Sequence, residues 1–398
     1  MFLNISSRAI GFFGSTYAIR CMEPVNLGIS ALVQTTVTQA SLIYDSGLNT
    51  TGVRLISSDK ATATSTATTI ITFRLSIALL VSVIWCAGVF LFVPSEHQFV
   101  WFLGIPALFI AAANPTFIFQ GIEKLPVMAA ITTLGVLLST AAYFIFFQPH
   151  MDLGADLIVI VSVGFVTTIL GWIAYFRLYR EWPVARLNWQ HLKSMLHESR
   201  ELWIIAVIGT VYPATQIFMI ASILGFHASG IYRSALVFAA VFDILFSNIS
   251  SLLLPRVIVW RKQGILFMWQ RLNRLTIILG LILLPIALVV EYAAPLVFNL
   301  LLGEAFKESV TIFQIILVGK LTVCLGLGYS YGLVALQSNS HLLRIYMFVA
   351  IMSVSISAWL IPLYGLYGAA ISVLLTDLFF PIACYIMLRI TVVKPATF

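Results

Sequence analysis

Long apolar stretches separated by short polar ones run through the whole chain. A helix needs about 20 mostly apolar residues to cross the hydrocarbon core of a bilayer. Stretches of that length predict twelve membrane-spanning helices. They cover residues 5–21, 26–45, 70–93, 99–119, 126–147, 155–178, 202–225, 229–253, 275–300, 310–335, 343–361 and 366–388.

The longest polar stretch, residues 177–201, lies near the middle of the chain and separates the first six predicted helices from the last six. Within it, Leu192 and Leu196 fall on one side of a helix together with Trp203, which predicts a helix lying at the membrane surface. The sequence therefore predicts three regions. They are an N-terminal lobe over residues 1–179, a cytoplasmic linker over residues 180–201 and a C-terminal lobe over residues 202–398.

The composition supports a membrane protein. The chain is 61% apolar and 9% charged, with a mean hydropathy of +1.03. Soluble domains carry about 25% charged residues. A chain this poor in charge cannot cover a globular surface with polar groups, so lipid must be its solvent.

The distribution of Lys and Arg residues indicates how the chain is oriented in the membrane. The chain has 22 Lys and Arg residues against 15 Asp and Glu, for a formal net charge of +7. If the central polar stretch is cytoplasmic, most basic residues fall on the cytoplasmic face, as the positive-inside rule requires. We therefore expect both termini in the cytoplasm and no binding of nucleic acid. The Ser/Thr run from Thr62 to Thr69 is expected to be a polar loop on that face.

The two halves of the sequence resemble each other. Residues 153–156 (LGAD) open predicted helix six, and residues 367–370 (YGAA) open helix twelve. Asp45 and Asp243 likewise fall in helices two and eight. Because each half has an even number of helices, the halves are parallel repeats, and such folds bind substrates between them. We expect an all-α integral membrane protein, with about twelve transmembrane helices in two six-helix parallel-repeat lobes around a central cleft.

The sequence lacks the motifs of the common enzyme and metal sites. It has no G-x-S-x-G, no Walker-type loop and no H-E-x-x-H. Its four cysteines lie far apart, with no C-x-x-C pair. The predicted outer loops are only a few residues long, whereas a polysaccharide polymerase needs an outer domain to hold two glycans. We expect no enzyme activity, no cofactor and no metal.

Charged residues inside the predicted helices of the second half are the candidate functional groups. Arg233 and Asp243 lie in helix eight, Lys320 in helix ten and Asp377 in helix twelve. A charge at mid-bilayer costs about 2.5–3.5 kcal/mol on insertion scales, so each needs a reason. One reason is a structural ion pair of Lys320 with Asp377 or Asp243. The other is a polar cavity that receives a charged substrate or relays a proton.

Two further cations, Arg20 and Arg54, lie at the ends of helices one and two. They either anchor those helices at the interface or face the same cavity. Arg and Lys side chains suit phosphate groups. The sequence therefore predicts a site for an anionic head group and a pair of carboxylates for ion coupling or ion pairing. The first comprises Arg20, Arg54, Arg233 and Lys320, and the second Asp243 and Asp377.

Several short stretches resemble one family. LIYDSGLNTTGVRLIS (42–57) resembles the D-x-G-L-N-x-x-G-x-R signature at the end of the second helix of bacterial polysaccharide transporters, the O-antigen flippases. Further stretches resemble other family segments in the same order. They are FQGIEK (119–124), SGIYRSALVF (229–238), PRV (255–257) and LLGEAFKESV (301–310).

The resemblance implies a member of the multidrug/oligosaccharidyl-lipid/polysaccharide exporter superfamily in the bacterial inner membrane. It implies two lobes that open alternately, an undecaprenyl-diphosphate-linked O-antigen unit as substrate and an ion gradient as energy source. Membrane lipid, a polysaccharide polymerase and a chain-length regulator are candidate partners. A cation-coupled multidrug exporter of the same superfamily is the alternative. Where the family often has an acidic residue in helix seven, this chain has Thr215 and Gln216, so an ion site there does not carry over.

Overall fold

A computed structural model describes residues 2–180, 189–336 and 338–393 of the chain. Every regular element in these ranges is an α-helix or a short 3-10 helix. The chain forms two compact units, residues 1–211 and 212–398. Of the linker predicted over residues 180–201, residues 181–188 lie outside the described ranges, and the remainder from Trp189 onward begins a long helix.

The first unit contains, within the described residues, nine complete α-helices and the start of a tenth. They are α1 (Phe2–Cys21), α2 (Pro24–Asp45), α3 (Leu48–Ser58), α4 (Ala63–Phe92), α5 (Ser95–Phe102), α6 (Gly104–Ala112), α7 (Thr116–Gly121), α8 (Leu125–Phe146), α9 (Ala155–Tyr179) and the start of α10 (Trp189–Leu224).

The second unit contains the end of α10 and four longer helices. They are α11 (Phe226–Gln263), α12 (Ile265–Leu302), α13 (Glu308–Ala335) and α14 (Asn339–Val393). Gly365 interrupts α14 with φ 60° and ψ −136°, a conformation that residues with a Cβ rarely adopt. The break falls between the two helices that the sequence predicts over residues 343–361 and 366–388.

The polar run from Thr62 to Thr69 is not a loop, and that prediction was wrong. Most of it forms the first turns of α4, where Thr66, Thr68 and Thr69 are buried. The Thr68 and Thr69 hydroxyls donate to the carbonyls of Thr64 and Ser65, four residues earlier. Threonine can therefore enter a helix here because its hydroxyl finds an acceptor within the helix itself.

Eight helical segments in the described ranges are long and apolar enough to cross a membrane, and the number twelve stays a prediction. The segments are Ala63–Phe92, Ser95–Gly121, Leu125–Phe146, Ala155–Tyr179, Ala206–Leu224, Ile265–Leu302, Glu308–Ala335 and Ser340–Val392. Ile84, Leu91 and Phe92 on α4 are 73–83% exposed, as expected of side chains that face lipid. The chain is an all-α, multi-pass membrane protein.

The start of α10 closes the turn between α2 and α3. Ser46 and Gly47 form this turn with positive φ angles of 46° and 75°. The Ser199 hydroxyl donates to the carbonyl of Ser46 at 2.8 Å, and the Trp203 indole donates to the carbonyl of Leu42 at 2.8 Å. The first bond gives the carbonyl at the C-terminal cap of α2 a donor. The second adds to the Leu42 carbonyl, which also accepts the backbone N–H of Ser46 at 3.2 Å.

Close packing of α13 against α14 brings the candidate charges of the second unit together. A Cβ at Gly326 would overlap the ring of Pro381, and a Cβ at Gly319 would lie 3.0 Å from the Asp377 Oδ2 atom. Glycines of this kind let membrane helices approach closely. The Asp377 carboxylate therefore lies directly against the backbone of α13.

Candidate functional site

Lys320 and Asp243 form an ion pair in the second unit. The Lys320 Nζ atom lies 2.9 Å from Asp243 Oδ1 and 3.3 Å from Asp243 Oδ2. Lys320 is the thirteenth residue of α13, about 18 Å from the start of that helix at 1.5 Å per residue. The side chains are 26% and 52% exposed. A charged pair at this depth is costly in hydrocarbon and is expected to face the bundle interior or water.

Asp377 is the third member of this cluster. It lies within electrostatic range of the Lys320 ammonium, which attracts it, and of the Asp243 carboxylate, which repels it. The Thr322 hydroxyl donates to the Asp377 backbone carbonyl at 3.1 Å. Asp377 Oδ2 is buried and has no hydrogen-bond partner among the described residues. The Lys320 ammonium thus attracts two carboxylates but forms an ion pair only with that of Asp243.

The sequence left two possible ion-pair partners for Lys320, Asp243 and Asp377, and the structure distinguishes them. The ion pair is with Asp243, while Asp377 lies beside it without such a bond. Tyr212 of α10 lies within electrostatic range of both carboxylates. The cluster therefore brings together α10, α11, α13 and α14.

A second polar network lies in the same unit and was missed by the sequence analysis. The Gln216 side-chain amide donates to the hydroxyls of Ser357 and Ser372 at 3.2 and 3.1 Å, and its oxygen accepts from the Tyr232 hydroxyl at 3.1 Å. These four side chains are buried. The donor and acceptor groups of the Gln216 amide are thus both hydrogen-bonded within this unit. A glutamine within a spanning helix was the available signal.

The first unit also buries a cation that the sequence analysis did not single out. Arg74 of α4 is 4% exposed. It forms an ion pair with Asp45, lies 3.5 Å from the Asn49 side-chain oxygen and packs over the Phe117 ring at 5.2 Å. Its Nε atom has no hydrogen-bond partner among the described residues. The acid and the amide of the D-x-G-L-N stretch therefore hold Arg74.

Asp156, in the first turn of α9, is a buried carboxylate that the sequence analysis did not place at depth. It is 5% exposed and accepts hydrogen bonds from the Ser30 hydroxyl at 2.7 Å and from the Gln34 amide at 3.2 Å. A carboxylate near a helix N-terminus is also stabilised by the helix dipole. Asp156 is thus held by its own unit.

The other predicted head-group residues are divided between the two units. Arg54 is exposed and forms an ion pair with Glu198 at the start of α10. Arg20 is exposed in the last turn of α1. Arg233 is partly buried near the start of α11. Arg20 and Arg54 belong to the first unit, and Arg233 and Lys320 to the second.

A cavity of about 340 Å³ lies in the first unit among α7, α8 and α9. Phe119, Met128 and Val163 are among its lining residues, so its wall is mainly apolar. None of the predicted site residues lines it. Among the described residues, no group of three or more His, Cys, Asp or Glu side chains is arranged to hold a metal ion.

Comparison with solved structures places the fold. The chain matches the inward-facing structure of a multidrug resistance MATE family transporter of the MOP superfamily with a TM-score of 0.79 at 14% identity, covering 98% of this chain and 96% of that one. It matches the lipid II flippase MurJ in an inward closed conformation with a TM-score of 0.79 at 10% identity, covering 98% and 87%. At these identities the likeness concerns the fold.

Comparison of sequences identifies the family. A protein of Escherichia coli (strain K12) named for O-antigen transport is 22% identical over 381 residues, covering 91% of this chain and 88% of that protein. A Shigella dysenteriae protein of the same name is 22% identical over 369 residues, covering 91% of each. The profile of the family described as polysaccharide biosynthesis protein matches residues 1–259. The chain therefore belongs to the polysaccharide biosynthesis protein family.

Proposed function

We propose that this protein is a flippase that moves undecaprenyl-diphosphate-linked O-antigen units across the bacterial inner membrane by alternating access, coupled to an ion gradient. The relatives named for O-antigen transport match along 91% of the chain. The fold is that of transporters in one superfamily, among them a flippase. In this proposal the protein moves its cargo without breaking or forming a covalent bond, so it is not an enzyme.

The observation that carries the proposal is the Lys320 cluster. A diphosphate head group that crosses a membrane needs positive charge at mid-depth, because charged groups are strongly disfavoured in hydrocarbon. Lys320 supplies that charge from the middle of α13, and its side chain is 26% exposed. The site is thus open enough for a ligand to approach the ammonium.

The carboxylates of Asp243 and Asp377 are proposed to link cargo binding to ion binding. When no cargo is bound, Asp243 pairs with Lys320. An arriving diphosphate competes with Asp243 for the ammonium. In this proposal the coupling ion then takes the place of the ammonium beside the released carboxylate. Loading cargo and binding the coupling ion are thereby linked.

Asp377 strengthens the proposed link between cargo binding and ion binding. Its Oδ2 atom has no hydrogen-bond partner among the described residues while it lies within range of Lys320. When the cargo draws the ammonium away from both carboxylates, Asp243 and Asp377 repel each other more strongly. A coupling cation bound beside them would offset that repulsion. Asp243 and Asp377 are therefore the proposed ion-coupling pair.

The remaining predicted cations complete the proposal. Arg20, Arg54 and Arg233 assist in receiving the anionic head group, and Arg54 would exchange its Glu198 partner for the diphosphate. Both termini lie in the cytoplasm. A polysaccharide polymerase and a chain-length regulator are the proposed partners on the far side of the membrane.

The test is surface O-antigen in cells that carry Lys320→Ala at normal protein level. We expect surface polymer to fall at least tenfold, because the head group loses its cation at mid-depth. Lys320→Arg retains the charge and should retain part of the activity. Lys307→Ala is the matched control, since Lys307 is an exposed lysine at the start of the same helix. Undiminished polymer in Lys320→Ala would remove Lys320 from the mechanism.

A cation-coupled multidrug exporter is the alternative, favoured by the likeness to MATE structures. That class would export drugs and leave the surface polymer unchanged. Drug-resistance profiles of cells with and without the gene, measured beside the surface polymer, separate the two functions. Accumulation of unpolymerised lipid-linked units on the outer leaflet in cells lacking the gene would instead indicate a polymerase.

A further inference from the structure

The hairpin between α11 and α12 reaches beyond the membrane core. Each helix has 38 residues, about 57 Å at 1.5 Å per residue, whereas the hydrocarbon core is about 30 Å thick. Only Gly264 separates the two helices. Their joined ends, residues 255–274, are called the hairpin tip below. The length of both helices places this tip in the head-group layer or just outside it.

The hairpin tip carries five exposed basic side chains and no acidic one. They are Arg256, Arg261, Lys262, Arg271 and Arg274. The sequence contains no Asp or Glu from residue 244 to residue 290. None of the ion pairs among the described residues involves these five side chains. Arg261 donates to the carbonyl of Ala335, and Arg271 packs over the Phe267 ring at 5.0 Å.

The corresponding region of the first unit, between α2 and α4, is built differently. Its two cations, and Arg74 within α4, each pair with a carboxylate of the same unit. The pairs are Arg54 with Glu198, Lys60 with Glu123 and Arg74 with Asp45. Ion pairs therefore neutralise the cations of that region. No ion pair among the described residues neutralises those of the hairpin tip.

Exposed apolar side chains accompany these cations. Val259 is 52% exposed and Leu266 is 68% exposed. Trp260 and Trp269 are partly buried on either side of the turn. Tryptophan, exposed aliphatic groups and basic residues together are typical of protein surfaces that lie among lipid head groups.

We propose that the hairpin tip binds the phosphate groups of anionic phospholipids of the surrounding membrane. Clusters of four to eight basic residues beside a membrane-spanning helix bind anionic lipid head groups. Five exposed cations spread over both helices suit several head groups of a lipid layer, whereas a single diphosphate would need an enclosed site. This lipid site does not include Lys320, and the proposal does not depend on which cargo the protein moves.

Photo-crosslinking of the full-length protein tests the proposal. The protein is placed in phosphatidylcholine nanodiscs that contain a small fraction of a photoactivatable lipid, and the labelled peptides are mapped by mass spectrometry. Three probes are compared at equal fraction: phosphatidylglycerol, phosphatidylcholine and a polyprenyl diphosphate. We expect phosphatidylglycerol to label residues 255–274 at least tenfold more than phosphatidylcholine does.

Two variants localise the binding. Arg261 is retained in both, because it also binds the carbonyl of Ala335. The first variant replaces four cations of the hairpin tip by Gln, at Arg256, Lys262, Arg271 and Arg274. Each removed charge should lower labelling by about fivefold near the membrane surface. The matched control replaces four exposed cations of the first unit by Gln, at Lys60, Lys124, Lys193 and Arg200, and should keep the labelling of the hairpin tip.

Equal labelling by phosphatidylglycerol and phosphatidylcholine would overturn the proposal, as would full labelling of the first variant. Stronger labelling by the polyprenyl diphosphate than by phosphatidylglycerol would also overturn it, since the site would then belong to the carrier lipid. If the first variant does not fold, the salt dependence of labelling in the unmodified protein tests the proposal instead. Its labelling by phosphatidylglycerol should fall steeply between 0.05 and about 0.5 M salt, because exposed charges are screened, and salt-independent labelling would contradict the proposal.

Discussion

The two units hold their buried charges in different ways. In the first unit, Arg74 is 4% exposed and paired with Asp45, and Asp156 is 5% exposed with two hydrogen-bond donors. In the second unit, Lys320 and its partner are 26% and 52% exposed. A sealed charge with fixed partners stabilises a fold, whereas an accessible one can exchange its partner for a ligand. We therefore assign structural roles to the first set and transport to the second.

Replacing Arg74 should have the largest effect on stability. Arg74→Met leaves Asp45, whose side chain is 32% exposed, without its cation. Breaking a buried ion pair costs about 3–5 kcal/mol, and the partial exposure of Asp45 puts the expected loss at the low end of that range. The measurement is the free energy of unfolding of the purified protein in detergent micelles. Arg74→Met combined with Asp45→Leu should recover most of the loss, because no uncompensated charge remains. A loss under about 1 kcal/mol in Arg74→Met would contradict the structural role.

Replacing Asp156 should have the next largest effect. Asp156→Leu leaves the Ser30 hydroxyl and the Gln34 amide without their acceptor, and each unsatisfied buried donor costs about 1–3 kcal/mol. Asp156→Asn retains an acceptor oxygen and should cost less than half as much. Thermal unfolding of both variants gives the comparison. If Asp156→Leu keeps its stability but loses transport, Asp156 belongs with the functional charges instead.

Gly319→Ala tests how closely α13 and α14 must pack for the cluster to work. The added Cβ would lie 3.0 Å from Asp377 Oδ2, and overpacking of this kind costs about 1–3 kcal/mol. We expect a loss of stability at the low end of that range and a several-fold loss of surface polymer, because the Asp377 carboxylate must shift from its position in the cluster. Gly280→Ala is the control, since its Cβ would make an ordinary contact of 3.7 Å with Leu325. Equal transport in both variants would show that the position of Asp377 is unimportant.

Lys320→Ala should have the smallest effect on stability and a large one on transport. Its ion pair with Asp243 is partly exposed, and exposed pairs contribute about 0–1 kcal/mol. Unfolding in detergent therefore changes little while surface polymer is lost. A destabilisation as large as that of Arg74→Met would erase the contrast between the two units and make Lys320 a structural residue.

Much of the fold followed from the sequence because membrane-spanning helices are set by local composition. Apolar stretches of sufficient length predicted an all-α membrane protein, and the spans over residues 126–147 and 155–178 match α8 and α9 to within two residues. The break in α14 was also predicted, since residues 362–365 separate two apolar stretches. The run from Thr62 to Thr69 was misread because polarity alone does not show that a hydroxyl can bond within its own helix.

The candidate site was only partly predictable. Lys320, Asp243 and Asp377 stood out because a charge in a long apolar stretch is rare, but their pairing depends on which helices pack together. Arg74 and Asp156 lie near the ends of the helices predicted over residues 70–93 and 155–178, where the sequence alone suggests contact with water. Their burial results from packing against other helices of the first unit, and no local pattern reports it.

The bonds from Ser199 and Trp203 to the end of α2 have a consequence for synthesis. Leu192 and Met195 of the same segment are each 1% exposed in the core of the first unit. A nascent chain that has reached only Arg180 lacks all four side chains. The first unit therefore cannot complete its packing when α9 has been synthesised, but only once the chain has been extended through residue 203.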